Sequence, residues 1–344
     1  MLPERDIIEP VRRRLEELLR RSVTLEFSHS AREGPDAVLR AGPRRFIVEA
    51  KASARVAVVH AACERVRRLA SESGPDAIPL VAVPHMGPSG RRACDLARVS
   101  FVDVEGNAHL EAPGLLIHVE GKRQRRPGPG RPSSVFAPRS SRVSRLLLLE
   151  PKRRWRQRDL AERTALGRGY ISRIVARLVA EGLVEQEDNG LVHPRDPDLL
   201  LDAWRDEYDF RRHRIIAGHI AARSGEELVE RLVDALVGSD TAYALTGLPA
   251  AAMLTSFARF RLAAVYLRSV PTEDLLERLG FDAQEPGANT WLTLPRDEGV
   301  FDGAATVEGR VCVSAVQTYL DLHAMPERAS EAAAELRREQ LSWR

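Results

Sequence analysis

The apolar runs Ala37-Val38-Leu39 and Phe46-Ile47-Val48, separated by Ala41-Gly42-Pro43-Arg44, constrain this chain more tightly than any other stretch. Gly-Pro between two short apolar runs marks a turn, so the pair reads as an antiparallel hairpin. Symmetry about Gly42-Pro43 pairs positions whose numbers sum to 85 and sets Asp36 opposite Glu49. Directly opposed residues stand about 5 Å apart at Cβ, and two carboxylates that close repel unless a cation lies between them. Glu49 and Lys51, two positions apart on one strand, project to the same side. A hard divalent ion, Mg2+ or Mn2+, takes oxygen ligands of this kind, which makes Asp36 and Glu49 candidate metal ligands.

Lysine usage points the same way. The chain has 52 Lys and Arg residues, yet only Lys51, Lys122 and Lys152 are lysine. One of the three stands beside the acidic pair. An ammonium is a compact charge whose pKa moves readily, so it can orient or deprotonate a water where a guanidinium cannot. The competing reading is a surface hairpin with a solvated charged face.

Pro35-Asp36 with Glu49-Ala50-Lys51 resembles the PD-(D/E)XK motif of the restriction-endonuclease-like superfamily. An amphipathic helix at Ile7 to Leu19, a strand at Val23 to Phe27, a helix near Val56–Leu69 and strands at Ile78–Val83, Val99–Val104 and Leu115–Val119 surround the motif. The order helix, three strands, helix, strand is similar to that superfamily's core. The resemblance implies that Asp36 and Glu49 bind Mg2+ (or Mn2+). It implies that Lys51 positions the attacking water, so that Asp36, Glu49 and Lys51 form the catalytic set. A further acid from the first helix is common in such enzymes, and Glu9 and Glu16 are both candidates.

At 344 residues the chain has room for two or three domains. No stretch approaches the roughly 18 uninterrupted apolar residues of a membrane span, and the N-terminus is too charged for a signal peptide. The expectation is a cytoplasmic protein with no membrane partner. Cys63, Cys94 and Cys312 lie far apart in sequence without metal-ligand spacing, which argues against a disulfide framework or a structural zinc site. His60 and His118 sit in apolar contexts and read as fillers.

Net charge is +3, but Gly121 to Gly182 carries 17 Arg and Lys against 4 Asp and Glu. That local +13 leaves the rest of the chain at −10, the footprint of a polyanion-binding segment. Within it Gly121 to Arg142 has no acidic residue and is dense in Pro, Gly and Ser, so it reads as a linker. Gly130-Arg131-Pro132 resembles the core of an AT-hook. Pro129 replaces the arginine that normally precedes it, so Arg131 is assigned to non-specific phosphate contact.

A helix at Ser144–Leu149 is followed by a short one at Gln157–Thr164, a tight turn at Ala165-Leu166-Gly167 and a second helix from Arg168 to Glu181. Ile171, Ile174, Val175 and Leu178 make its apolar stripe, and Gly182 ends it. Asp188-Asn189-Gly190 between two short apolar runs signals a hairpin. Three helices and a hairpin resemble a winged helix-turn-helix. That likeness implies that the second helix of the pair enters the major groove of double-stranded DNA. Arg168, Tyr170, Ser172, Arg173 and Arg177 lie off the stripe. Arg168 and Arg173 are the base-contact candidates, Tyr170 and Ser172 reach bases or phosphate, and Arg153, Arg154 and Arg156 grip backbone.

Asp196 to Arg214 reads as a connecting helix pair. Beyond it the pattern is α/β: a helix at about Gly225 to Val237, strands at Tyr243–Leu245, Leu262–Leu267, Thr290–Leu294 and Arg310–Val313, and a final helix at Glu327–Leu341. Ala242 to Leu248 followed by Ala263–Leu267 resembles the opening of the nucleotidyltransferase fold. Active members place paired Asp residues on the second strand. Ala263 and Val265 stand there in this chain, and apolar side chains cannot hold a metal. The winged helix and this rear domain together, over roughly residues 140 to 340 and through Tyr243 to Gly247 and Val313 to Leu322, resemble the AbiEi-type antitoxins of type IV toxin–antitoxin systems, which are DNA-binding repressors.

The expected organisation is α/β and multidomain: a nuclease-like domain over 1–120, a basic linker over 121–142, a winged helix over 143–195, and connecting helices with a non-catalytic nucleotidyltransferase-like domain over 196–344. Two functions follow. One is a Mg2+-dependent DNA endonuclease, acting by phosphodiester hydrolysis and self-associating as a homodimer. The other is a non-catalytic transcriptional regulator of AbiEi antitoxin type with a toxin partner.

Overall fold

A computed structural model describes residues 4–26, 34–120, 134–239, 241–255, 260–283, 287–326 and 328–343. They fall into two compact units, one of residues 1–132 with 180–183 and one of the remainder. Arg131 and the Gly130-Arg131-Pro132 segment lie outside the described residues.

The first unit contains α1 (Glu4–Leu19), β1 (Thr24–Glu26), β2 (Ala37–Ala41), β3 (Arg44–Ala50), α2 (Val56–Ser73), β4 (Ala77–Val83), α3 (Pro88–Ala97), β5 (Ser100–Asp103), β6 (Ala108–Ala112) and β7 (Leu115–Val119). Its seven strands pair in chain order. The β2–β3 hairpin has the expected register, Ala37 against Val48 and Leu39 against Phe46. Gly42 supplies the positive φ (63°) that a two-residue hairpin turn needs. β3, β4 and β5 run parallel, and β4 is apolar over nearly its whole length because helices cover both of its faces. On one face Ile7, Val11 and Leu15 of α1 pack on Leu39, Phe46, Val48 and Leu80. On the other, Val59, Cys63 and Val66 of α2 and Cys94 of α3 pack on Ile47, Val81 and Phe101.

The second unit begins with α4 (Ser141–Leu149), α5 (Gln157–Thr164), α6 (Arg168–Ala180), β8 (Val184–Gln186) and β9 (Val192–Pro194). It continues with α7 (Pro197–Glu207), β10 (Arg214–Gly218), α8 (Gly225–Val237), β11 (Tyr243–Thr246), α9 (Gly247–Leu254), β12 (Ala263–Leu267), α10 (Glu273–Leu279), β13 (Thr290–Leu294), β14 (Ala305–Val307), β15 (Arg310–Cys312), α11 (Ala315–Leu322) and α12 (Ala329–Gln340). Six strands form a mixed sheet in the order β10-β13-β12-β11-β15-β14. Leu228, Val229 and Leu232 of α8 and Leu275 of α10 pack on its Leu245, Val265 and Leu292. Phe210, Tyr266, Val300 and Val313 form a second, aromatic cluster.

Three expectations are corrected. Asp196 to Arg214 is not a helix pair: α7 is followed by a single 3-10 turn at Phe210–Arg212, and Arg214 already belongs to a strand. Tyr208 and Asp209 break the helical run, and Phe210 is buried. The segment assigned as linker up to Arg142 ends early, because α4 starts at Ser141 and Val135, Ser140 and Ser141 are buried. Helix α3 was missed because Gly87-Pro88-Ser89-Gly90 reads as a turn. Pro88 instead opens the helix, where its missing N–H costs nothing, and Gly90 leaves the space that Met86 fills.

Candidate nucleic-acid interface and carboxylate cluster

In the second unit, Ile171, Ile174, Val175 and Leu178 seat α6, as its 3-and-4 spacing dictates. Ala165, in left-handed conformation (φ 53°), turns the chain between α5 and α6. Trp155 is fully buried and exchanges both backbone hydrogen bonds with Val192, adding a third short strand to the β8–β9 hairpin. At the wing tip Gly190 takes φ 80°, and the Asn189 side chain accepts from Leu191 N–H at 2.9 Å.

Arg168, Ser172 and Arg173 are exposed along the face away from the stripe, and Arg177 is half-buried. The Tyr170 hydroxyl hydrogen-bonds Ser140 Oγ at 2.8 Å. Its ring lies 5.9 Å from the Arg173 guanidinium. Arg153 stacks 3.7 Å over Trp155 and donates to Glu150, and Arg154 pairs with Glu187 of the wing at 3.0 Å. Arg156 and Arg168 are exposed, and no ion pair to either is found among the described residues. The wing itself carries Glu185, Glu187 and Asp188, of which Glu187 pairs with Arg154 and Glu185 with Arg195.

In the first unit, Asp36, Glu49 and Lys51 converge as the hairpin symmetry requires. Lys51 Nζ lies 2.7 Å from Glu49 Oε1 and 3.7 Å from Asp36 Oδ2. Asp36 Oδ2 also accepts from Ala50 N–H at 2.7 Å. The acid contributed by the first helix is Glu4, 3.7 Å from Lys51. Glu9 and Glu16 face elsewhere, both bonded to Arg12. Sequence reasoning also missed Arg65 of α2, whose Nε is 3.2 Å from Glu49 Oε2 and whose Nη2 donates to the Gly34 carbonyl at 3.0 Å.

Glu49 is 1% exposed. Burial raises its pKa, as does the Asp36 charge, against the pull of Lys51. Burial works to lower the pKa of Lys51, but the Glu49 bond and the Asp36 and Glu4 charges outweigh it and hold the ammonium protonated. Two carboxylates and the Ala50 carbonyl, which Lys51 reaches at 3.0 Å, form a hard-oxygen donor set of the kind Mg2+ or Mn2+ takes. Among the described residues no group of three His, Cys, Asp or Glu side chains is placed to hold a metal. Cys63 and Cys94, distant in sequence, stand 3.6 Å apart as buried free thiols.

Among the described residues no helix is long and apolar enough to cross a membrane. No curated protein and no solved structure matches the chain. Residues 150–192, well under half of the chain, match the model of the MarR family. This stretch runs from the end of α4 through α5, α6 and β8 into β9, and it is a winged helix-turn-helix.

Proposed function

We propose that this protein is a sequence-directed DNA-binding regulator that reads the major groove of double-stranded DNA with α6. The observation that carries the reading is the exposure of Arg168 and Arg173 at the N-terminal half of α6, opposite its buried stripe and inside the MarR-like stretch. A recognition helix presents its N-terminal residues to base edges, and an arginine there can bond guanine bidentately. Arg156, Ser172 and Arg177 add phosphate contacts. A homodimer would set two α6 helices at half-site spacing. In the antitoxin form of this reading the six-stranded sheet, apolar along β12, serves to bind a toxin partner rather than to catalyse.

Fluorescence anisotropy on duplexes selected from a random pool tests the reading. Arg168→Ala with Arg173→Ala should abolish sequence preference and weaken binding, while the salt slope of log K, set by the phosphate contacts, changes little. Unchanged affinity and preference would remove α6 from the interface.

A second reading, a Mg2+-dependent DNA endonuclease, is favoured by one observation: Glu4, Asp36 and Glu49 converge around Lys51. Asp36, Glu49 and the Ala50 carbonyl would hold the ion, which on binding would polarise a phosphate oxygen and acidify a water. Lys51 would then orient that water. Plasmid nicking with Mg2+ or Mn2+ that disappears in Asp36→Ala supports this reading, and no nicking over a range of DNA forms rejects it.

A further inference from the structure

The ammonium of Lys51 sits among four oxygens: Glu49 Oε1 at 2.7 Å, the Ala50 carbonyl at 3.0 Å, and Asp36 Oδ2 and Glu4 Oε1 each at 3.7 Å. Three of those four are the oxygens a divalent ion would need. The other Glu49 oxygen already faces Arg65 Nε at 3.2 Å, and Arg65 is anchored in turn on the Gly34 carbonyl. Each oxygen of the buried Glu49 carboxylate therefore stands beside a cation, Oε2 in an ion pair without a hydrogen bond. The cluster holds three carboxylates and two cations, so its formal charge is only −1 without any ion from solution. An ammonium seated on the oxygens a divalent ion would take competes with that ion for them, and the two charges repel at short range.

We infer that Lys51 and Arg65 are the resident cations of this cage and close it to divalent ions. The inference rests on the carboxylate cluster of the nuclease reading but assigns Lys51 a different role, filling the metal position rather than serving beside it. Removing Lys51 would leave Glu49 buried next to the like charge of Asp36, a state whose cost a divalent ion could offset. Loss of an internal cation should therefore create a metal site.

The experiment is calorimetric titration of the full-length chain with Mn2+ at constant pH and ionic strength, with the thermal midpoint read in parallel. Wild type should show no stoichiometric binding. Lys51→Met, which keeps the side chain's length without its charge, should bind one equivalent at least about tenfold more tightly than wild type and melt higher when Mn2+ is added. Adding Asp36→Asn to Lys51→Met should abolish that gain. Should Lys51→Met fail to fold, Lys51→Gln, which also removes the charge but can still donate to the cage oxygens, should show the same gain. One equivalent bound by wild type as tightly as by either variant overturns the inference. Nicking assays do not enter the result, so a failed nuclease reading leaves it standing, and its own failure leaves that reading open.

Discussion

Tyr170 and Arg168 stand two positions apart at the start of α6, yet their environments divide holding the reading head from reading. The Tyr170 hydroxyl is committed to Ser140 Oγ at 2.8 Å, on the segment leading into α4. The Arg168 side chain is exposed. Tyr170→Phe should therefore cost about 1 kcal/mol of stability, one neutral hydrogen bond, and leave DNA affinity within twofold. Arg168→Ala should leave the urea midpoint where it is and cost about 1–3 kcal/mol of discrimination at one base pair. Anisotropy against single-base operator variants, beside urea melts of both proteins, separates the two effects. If Tyr170→Phe loses the most affinity, its ring or hydroxyl reads DNA after all. The exposure of Arg168 and Arg173 was legible from the 3-and-4 spacing of the buried stripe alone. The engagement of Tyr170 was not, because Ser140 lies thirty residues earlier in a stretch whose composition suggested a linker. Glu4 escaped for a similar reason. Glu4, Glu9 and Glu16 all occur on α1; Arg12 stands at helical pairing distance from the last two, but nothing local brings Glu4 to Lys51.

Helix α4 shows how the winged helix is joined to the sheet that follows it in the second unit. Arg142 makes a bidentate pair with Asp297, Nε to Oδ1 at 2.7 Å and Nη2 to Oδ2 at 3.0 Å. Its Nη1 donates to the Thr164 carbonyl at the end of α5, at 3.1 Å. One guanidinium thus ties the turn of the helix-turn-helix to the segment between β13 and β14. One turn further along α4, the buried Arg145 donates to Gln317 of α11 and lies 5.0 Å over the ring of Trp204 of α7. Lysine cannot reproduce the planar fork at position 142. Arg142→Lys should cost about 2 kcal/mol, the value of a charge-assisted bond lost in a half-buried site, and hydrogen exchange should speed up in both α4 and α5. Exchange faster in α4 alone would mean that the Thr164 contact carries nothing. Sequence patterning located α5, α6, α8 and the β2–β3 hairpin closely, because each buries one face with an unbroken period. It could not find these ties, since a Gly- and Arg-rich approach to α4 reads the same whether its arginines face solvent or a partner more than a hundred residues away. The run from Tyr208 to Arg212 misled for a related reason: its charges suggested an exposed helix, while Phe210 goes into the aromatic cluster.

The basic excess of Gly121 to Gly182 is a property of the sequence, +13 over one stretch. In the interior of the second unit a separate polar chain connects two groups that titrate in opposite senses. Asp321, fully buried, accepts from Thr246 Oγ1 and Tyr208 at 2.5 Å each, Gln317 Nε2 at 2.7 Å and Tyr266 at 3.1 Å. Burial raises its pKa to about 6 despite those four donors. The Tyr208 hydroxyl also meets His213 Nε2 at 3.0 Å, and the Arg296 backbone N–H donates to His213 Nδ1 at 3.1 Å, so the imidazole is held neutral. Burial and the nearby Arg145 and Arg296 charges lower its pKa to about 4. His323 is also pushed down to about 4, mainly by burial, but its exposed side chain leaves its contribution screened by water. For Asp321 the raised folded pKa means stability that is full below about 4 and lost as pH climbs through about 6. For His213 the depressed folded pKa means stability that is full above about 6.5 and lost as pH falls through about 4. Across pH 4.5 to 6 the folded state holds one proton on Asp321 and the unfolded state one on His213, so the two effects cancel. Asp321→Asn removes one side of that balance. Relative to wild type, its stability should then rise with pH by about 1.4 kcal/mol per unit over this window, read from urea midpoints at half-unit steps. His213→Gln should tilt the curve the other way. Parallel curves for wild type and Asp321→Asn would mean that Asp321 titrates as an ordinary carboxylate and that the buried chain holds no proton.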